Sequence, residues 1–256
     1  MTAPFGIVCF GRGIEKVQGV WQPTAYLERR TENGQHSGWR TEDLYLDSDD
    51  ERVIVAGGHA NVMAMTQLWQ QQVRARELPE LLIWAAGRPE YLAAEPEDLS
   101  EGSVLFVEFK KRLEGCDRLR NHLPTMRVEI QTKNRNTYDD LLQSLEIAHG
   151  MHLKKIVIVS VLVHLQRIAA FLEQIRKTKD HLNNIAVELA ASELVLLGRW
   201  FLSGAQTALA IGEDIGPLDH LALSHIIESP AYRRTAAREA KGVADIKAGC
   251  YGLSTP

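Results

Sequence analysis

The chain contains 256 residues, of which 45% are hydrophobic and 24% are charged, as in average soluble domains and unlike disordered chains. The 29 lysines and arginines against 33 acidic residues give a formal charge of −4, which argues against a dedicated nucleic-acid-binding protein. The three cysteines, Cys9, Cys116 and Cys250, are far apart and form no CxxC pair, which excludes a disulfide framework and a zinc knuckle.

The first fifty residues contain one predicted strand, GIVCF at residues 6–10, which ends at the sequence Gly-Arg-Gly. Residues 31–51 are rich in turn formers and acidic side chains, so we predict that they form a surface loop. We therefore assign residues 1–48 to an N-terminal extension of strand and loop.

Between residues 49 and 177, short apolar runs alternate with segments of helical period. The predicted strands cover residues 52–58, 81–87, 127–131 and 154–161. The predicted helices cover residues 61–76, 100–113, 136–150 and 163–177, with Ser100 as an N-cap. The apolar runs do not alternate with polar residues, which is typical of strands buried on both faces of a parallel sheet. We predict an α/β fold, a Rossmann-like three-layer sandwich with a mainly parallel sheet.

After residue 177 the pattern becomes helical. The predicted helices cover residues 185–202, 217–228 and 230–242, the last opening with proline after a serine N-cap. We assign residues 178–256 to a C-terminal helical lobe, which would present a partner surface or a homodimer face if the protein were a non-catalytic interaction module.

Small and polar residues follow the predicted strands of the core. Since ligands of such sheets bind at the carboxyl ends of the strands, we expect the Gly57-Gly58 turn, Gly87-Arg88 and residues 134–137 to meet there. Glycines 57 and 58 would let the backbone approach a ligand, with Asn61 beside them, although a tight structural turn explains them equally well. The turn is not GxGxxG, and no GxxxxGK[ST] or GxSxG sequence occurs.

The segment from Asn134 to Asp140 is the most distinctive of the chain. Asn136 or Thr137 could cap the following helix, with Asp139 and Asp140 complementing its dipole. Capping does not require Asn134 and Arg135 as well, so ligand binding is the alternative that explains the whole segment.

Two further groups are candidates for chemistry. His164 and Arg167 lie one helical turn apart after a buried strand, where a phosphate, carboxylate or sugar would lie. His164 is the best candidate for a general acid or base, because its ordinary pKa of about 6.5 is near working pH. Glu101 begins its helix, where it could complement the dipole or act as a base. The other histidines show no metal-ligand spacing, so we expect no metal.

Five segments in this order resemble the YdcF/SanA/ElyC family: RVIVAGGHANVMAMTQLW, LLIWAAGRPEYL, LSEGSVLFVEF, IQTKNRNTYDDLLQSL and IVIVSVLVHLQRIAAFL. The match covers roughly residues 49–172, about half of the chain. Departures from the family pattern include Ala85-Ala86-Gly87 in place of SGG, Gly102 in place of alanine, and Gln131 in place of the usual glutamate. An amide cannot act as a general base, so this last change fits a non-catalytic alternative.

The resemblance implies a Rossmann-like protein that binds S-adenosylmethionine. Because no segment has the ~20 apolar residues of a membrane anchor, we expect the protein to be similar to the cytoplasmic branch of the family. The expected function is an enzyme, a transferase rather than a hydrolase, acting on a small molecule without nucleic-acid or membrane partners. Three arginines, at 88, 135 and 167, leave a phosphorylated or nucleotide-sugar metabolite as the alternative substrate. The expected ligand-binding residues are Gly57, Gly58, Asn61, Gly87, Arg88, Asn134, Arg135, Asn136, Thr137, Asp139 and Arg167, with His164 and Glu101 as the catalytic pair.

Overall fold

The computed structural model describes residues 4–24, 27–30, 36–40, 57–88, 90–196 and 230–251. Its strands are β1 Phe5–Phe10, β2 Ile14–Val17, β3 Val20–Pro23, β4 Leu27–Arg30, β5 His36–Arg40, β6 Leu81–Ala85, β7 Arg127–Ile130, β8 Lys155–Ser160 and β9 Ala186–Ala191. Its α-helices are α1 Gly58–Ala75, α2 Glu101–Glu114, α3 Asp117–Arg120, α4 Thr137–Gly150, α5 Leu162–Thr178, α6 Ser192–Leu196 and α7 Pro230–Lys247.

The main sheet contains five parallel strands in the order β7-β6-β1-β8-β9. Its centre is apolar, with Ile7, Ile83 and Val157 fully buried, because neighbouring strands and helices cover both faces. The prediction of an α/β, Rossmann-like sandwich with a mainly parallel sheet is confirmed.

Two groups of helices pack on this sheet. α1 contacts β1, β8 and α6, and α2 contacts β6 and β7, whereas α4 and α5 contact each other and α7 packs on α5. The chain proceeds from β1 through β6 to β7 and then returns to β8 on the other side of β1. Strand order therefore switches between β1 and β8, and a ligand site is expected at the carboxyl ends of these two strands.

Two boundaries of the predicted core are wrong. β1 is the central strand, so the assignment of residues 1–48 to an extension outside the core fails: β1 pairs with both β6 and β8. Residues 186–191, predicted as part of a helix, form the edge strand β9 beside β8. The sequence of β9, AVELAA, has helix-forming residues, but pairing with the open edge of β8 overrides that preference.

The structure also tests several local predictions. Ser100 caps α2 as predicted, with its side chain accepting a hydrogen bond from the Ser103 N–H. The predicted helix from Pro230 is confirmed as α7. Residues 36–40, predicted as loop, pair with β4 as a short hairpin strand. The predicted strand core at 52–56 and the predicted helix at 217–228 lie outside the described residues. No helix among the described residues is both long enough and apolar enough to cross a membrane.

Candidate functional site

A cavity of about 230 Å³ opens at the carboxyl ends of β1, β6, β7 and β8. The loop after β1 supplies Gly11, Arg12 and Gly13, and the loop after β6 supplies Gly87. The segment between β7 and α4 and the first turns of α2, α4 and α5 complete the lining. The cavity therefore lies at the switch in strand order, where open parallel sheets bind their ligands.

The structure brings most of the predicted residues to this one cavity. Those that line it are Gly87, Glu101, Asn134, Arg135, Asn136, Thr137, His164 and Arg167. Five others do not line it: Gly57, Gly58, Asn61, Arg88 and Asp139.

Gly58 and Asn61 connect α1 to the core beneath the cavity. The Gly58 N–H donates to Thr24 Oγ1 at 3.2 Å, and a Cβ on Gly58 would lie 2.8 Å from the Gly13 carbonyl oxygen. Asn61 is fully buried, donates to the Phe10 carbonyl at 2.7 Å and accepts from Ser192 Oγ at 2.6 Å. These contacts give both residues a packing role in the structure.

Arg88 holds a surface loop together. Its guanidinium donates to the main-chain carbonyls of Leu92, Glu95, Pro96 and Leu99. Because these carbonyls take most of its N–H groups, Arg88 fixes the loop between β6 and α2. Asp139 instead accepts from Asn136 Nδ2 at 2.9 Å, while its own N–H donates to Asn136 Oδ1, so this pair caps α4 as the capping alternative predicts.

Three residues of the site were not selected from the sequence: Arg12, Asp140 and Glu239. Arg12 follows a strand whose place in the centre of the sheet was not recognised, and Asp140 was interpreted as a dipole-complementing residue of the helix. Glu239 lies on α7, more than two hundred residues from Arg12, and no local pattern signals its place. The position of β1 is the signal that would have identified Arg12, because a central strand ends at the ligand edge.

Arg12 and Arg167 reach the cavity after the neighbouring strands β1 and β8, and they share one carboxylate. Arg12 Nη1 donates to Glu239 Oε1 at 2.6 Å, and Arg167 Nε lies 3.1 Å from Glu239 Oε2. The Glu239 side chain is 5% exposed, whereas those of Arg12 and Arg167 are 16% and 19% exposed. Two guanidinium groups against one carboxylate leave this cluster with an excess positive charge beside the cavity.

Glu101 connects the start of α2 to the loop after β1. Its Oε2 accepts the Gly13 N–H at 3.0 Å, and its Oε1 accepts the Tyr91 hydroxyl at 2.8 Å. Burial raises the pKa of Glu101, and the hydrogen bonds from Tyr91 and Gly13 and the charge of Arg12 offset only part of that effect.

Asp140 is a second carboxyl group in the cavity, on the first turn of α4, and is 7% exposed. Asn134 Nδ2 donates to its Oδ1 at 3.1 Å. Burial raises the pKa of Asp140 to about 7, against the lowering effect of the Asn134 hydrogen bond, and the nearby charge of Glu101 raises it further. This carboxyl group therefore exchanges its proton near neutral pH.

His164 lies at the base of the cavity and is 3% exposed. Its Nδ1 is 3.0 Å from Ser160 Oγ and its Nε2 is 3.2 Å from Thr137 Oγ1. Burial, and then the charges of Arg12 and Arg167, hold the pKa of His164 well below its ordinary value. The ring is therefore neutral, with both nitrogens beside hydroxyl groups.

The segment after β7 packs closely against the loop after β6. A Cβ on Gly87 would lie 1.7 Å from the Asn134 carbonyl oxygen, which accepts the Arg88 N–H at 2.9 Å. Asn134 Nδ2 lies 3.0 Å from Gln131 Oε1, and Gln131 Nε2 in turn donates to Ser144 Oγ at 3.0 Å. Gln131 therefore acts within a hydrogen-bond network that holds Asn134 at the cavity.

Comparisons with protein-family models, curated proteins and solved structures found no match to this chain. Among the described residues, no group of three or more His, Cys, Asp or Glu side chains is arranged to hold a metal ion. The resemblance to the YdcF/SanA/ElyC family stays a prediction from the sequence, and the chemistry of the site is argued from its own geometry.

Proposed function

We propose that this protein is an enzyme that binds a small anionic metabolite, a phosphate ester above all, and transfers a proton during its reaction. One observation carries the proposal. Three arginines, Arg12, Arg135 and Arg167, line the same small cavity as two carboxyl groups with raised pKa values, Glu101 and Asp140. Cations that bind an anion, next to carboxyl groups whose pKa is raised by burial, are the components of acid–base catalysis on a charged substrate.

The anion would lie between Arg12 and Arg167. Glu239 contacts Nη1 of Arg12 and Nε of Arg167, and other N–H groups of the two guanidiniums remain to face a ligand. Planar guanidiniums make two parallel hydrogen bonds to phosphate or carboxylate oxygens. The first turn of α4 begins at Thr137 beside the same cavity and adds the positive end of a helix dipole.

Asp140 is the proton-transfer group of the proposed reaction. Its pKa of about 7 places it where both protonation states are populated at working pH. Glu101 raises the pKa of Asp140 through its negative charge, so protonation of one carboxyl favours ionisation of the other. We assign His164 a positioning role, since its neutral ring lies between the hydroxyls of Ser160 and Thr137.

Calorimetric titration with inorganic phosphate and ribose 5-phosphate tests the proposal. We expect saturable binding of both, weakened at least about tenfold by Arg12→Ala or Arg167→Ala, because each removes a charge-assisted pair. Arg118→Ala is the matched control, since Arg118 is exposed on α3 and does not line the cavity. If neither ligand binds at millimolar concentration, or if the control weakens binding equally, the proposal fails.

S-adenosylmethionine is a second candidate ligand, because a larger groove adjoins the cavity. The groove has a volume of about 1040 Å³, and Arg135 lines both the groove and the cavity. Tyr91, 53% exposed, offers an aromatic surface in the groove for an adenine ring, while Arg12 and Arg167 would pair with the amino-acid carboxylate of the ligand. The cofactor would supply a methyl group for transfer when bound.

The same titration separates the two candidates. Binding of S-adenosylmethionine that is weakened by Tyr91→Ala, with no binding of ribose 5-phosphate, would favour the methyl donor. Binding of ribose 5-phosphate that S-adenosylmethionine does not displace would favour the phosphate ester.

A further inference from the structure

We propose that Glu239, on the C-terminal helix α7, is the positioning residue of the anion site. The proposal rests on the function proposed above, since it concerns how Arg12 and Arg167 are presented to an anion. Glu239 projects from α7, and its carboxylate contacts one nitrogen of the Arg12 guanidinium and one nitrogen of the Arg167 guanidinium. These contacts fix the orientation of the two guanidiniums, and so of the N–H groups that Arg12 and Arg167 have left for an anion.

Electrostatics explains why such a residue is needed. Two guanidiniums that face one small cavity repel each other, and burial strengthens that repulsion because the dielectric constant around them is low. A carboxylate between them offsets the repulsion and fixes their separation. Glu239 is 4% exposed, so water does not substitute for it, and its two oxygens contact different arginines rather than one arginine in a bidentate pair.

The surroundings of α7 hold Glu239 in place. α7 packs against α5, the helix that carries Arg167. Tyr251, just beyond α7, accepts from Arg167 Nη1 at 3.0 Å and contacts Phe171 of α5 edge-on, with ring centroids 5.0 Å apart. A Cβ on Gly242 would lie 3.4 Å from Arg167 Cδ, so the helix approaches the aliphatic part of that arginine closely.

The consequence is that α7 contributes to the binding site. Arg12 follows β1 and Arg167 follows β8, which are neighbouring parallel strands, so the sheet brings both arginines to the same edge. α7 supplies the carboxylate that lies between the two guanidiniums. A positioning role predicts weaker anion binding when Glu239 loses its charge, whereas a carboxylate that merely competed with the ligand would predict stronger binding.

Phosphate titration of three full-length variants tests this inference. We expect Glu239→Gln to weaken phosphate binding at least about tenfold and Glu239→Asp to recover part of the loss, because aspartate keeps the charge. Lys241→Gln is the matched control: it removes an exposed charge from the same helix and should leave binding unchanged. Thermal unfolding of each variant reports separately on the fold.

A mutant cycle with Arg167 distinguishes positioning from a general loss of structure. If Glu239 acts through the arginines, the Glu239→Gln loss is smaller in an Arg167→Ala background than in the natural chain. Equal losses in both backgrounds, no loss, or tighter phosphate binding by Glu239→Gln would overturn the inference. When Arg12→Ala weakens binding and Glu239→Gln does not, only this inference fails. If the natural chain binds no phosphate, both the proposed function and this inference fail.

Discussion

The carboxyl group of Glu101 accepts the backbone N–H of Gly13 at 3.0 Å, which joins the start of α2 to the loop after the central strand. The other oxygen of Glu101 accepts the Tyr91 hydroxyl at 2.8 Å. One side chain therefore fixes two loops of the cavity, and Arg12, which precedes Gly13, depends on this contact for its place at the edge of the sheet.

Glu101→Gln tests that relationship. The glutamine oxygen can still accept the Gly13 N–H, but its amide nitrogen is a donor, so the hydrogen bond with the Tyr91 hydroxyl must reverse its direction, and both bonds lose the strength that a carboxylate gives them. We expect a loss of about 1–2 kcal/mol in the free energy of unfolding. Phosphate affinity should fall as well, because the loop that carries Arg12 loosens. Urea unfolding and calorimetry measure the two effects. Glu114→Gln, at the exposed end of the same helix, is the control, and an equal effect there would contradict the assignment.

The sequence alone was sufficient to predict the parallel sheet and several of the residues that line the cavity. Apolar runs without alternation identified β6, β7 and β8, and the rule that ligands bind at strand ends selected Gly87, Asn134 and His164. Their convergence on one cavity follows from the parallel arrangement of the strands, since the carboxyl ends of all these strands lie at the same edge.

The remaining features depended on long-range contacts that a local pattern does not contain. β9 has a helix-forming sequence and becomes a strand only because β8 offers it an edge. Arg88 and Asn61 were predicted to bind a ligand, but both make hydrogen bonds within the protein. Arg88 donates to main-chain carbonyls, and Asn61 donates to the Phe10 carbonyl and accepts from Ser192. Glu239 meets Arg12 only after α7 has packed on α5.

Asp140 predicts a pH dependence of stability. Burial raises the pKa of Asp140 to about 7 from an ordinary value near 3.8, so the folded protein keeps this proton where the unfolded chain has released it. The stabilisation is complete below about pH 4 and is lost as the pH rises through about 7, with a change on the order of 4 kcal/mol. We expect Asp140→Asn to remove this part of the pH dependence, measured by urea unfolding at pH 4.5, 6 and 8. Parallel pH profiles of the two proteins would rule out the raised pKa.

Glu193 provides a matched comparison for the role of Asp140 in the cavity. Burial likewise raises the pKa of Glu193 to about 7, but its Oε2 accepts the Leu162 N–H at 2.9 Å and it does not line the cavity. Asp140→Asn should therefore change the pH profile of phosphate binding, whereas Glu193→Gln should change only the pH profile of stability. Calorimetric titrations from pH 5.5 to 8.5 compare them. A binding profile altered equally by both variants would show that Asp140 has no special place at the site.

Gly87 is required by the close approach of two loops. A Cβ at this position would lie 1.7 Å from the Asn134 carbonyl oxygen, so Gly87→Ala must move the segment between β7 and α4. We expect a loss of more than about 3 kcal/mol in the free energy of unfolding, because the two backbones cannot remain in place. Gly115→Ala is the control, since a Cβ there meets no atom within 4 Å. Equal stability of the two variants by urea unfolding would show that the loops separate without cost.

A substitution of Asn61 distinguishes an effect on stability from an effect on ligand binding. Asn61→Ala leaves the buried Phe10 carbonyl and the Ser192 hydroxyl without their partner, which costs about 2–3 kcal/mol in the free energy of unfolding. Phosphate affinity should stay within about twofold of the natural protein at temperatures where the variant is folded, because Asn61 does not line the cavity. Urea unfolding and calorimetry at 15 °C measure both quantities. A large loss of affinity with unchanged stability would return Asn61 to the set of ligand-binding residues, where the sequence pattern first placed it.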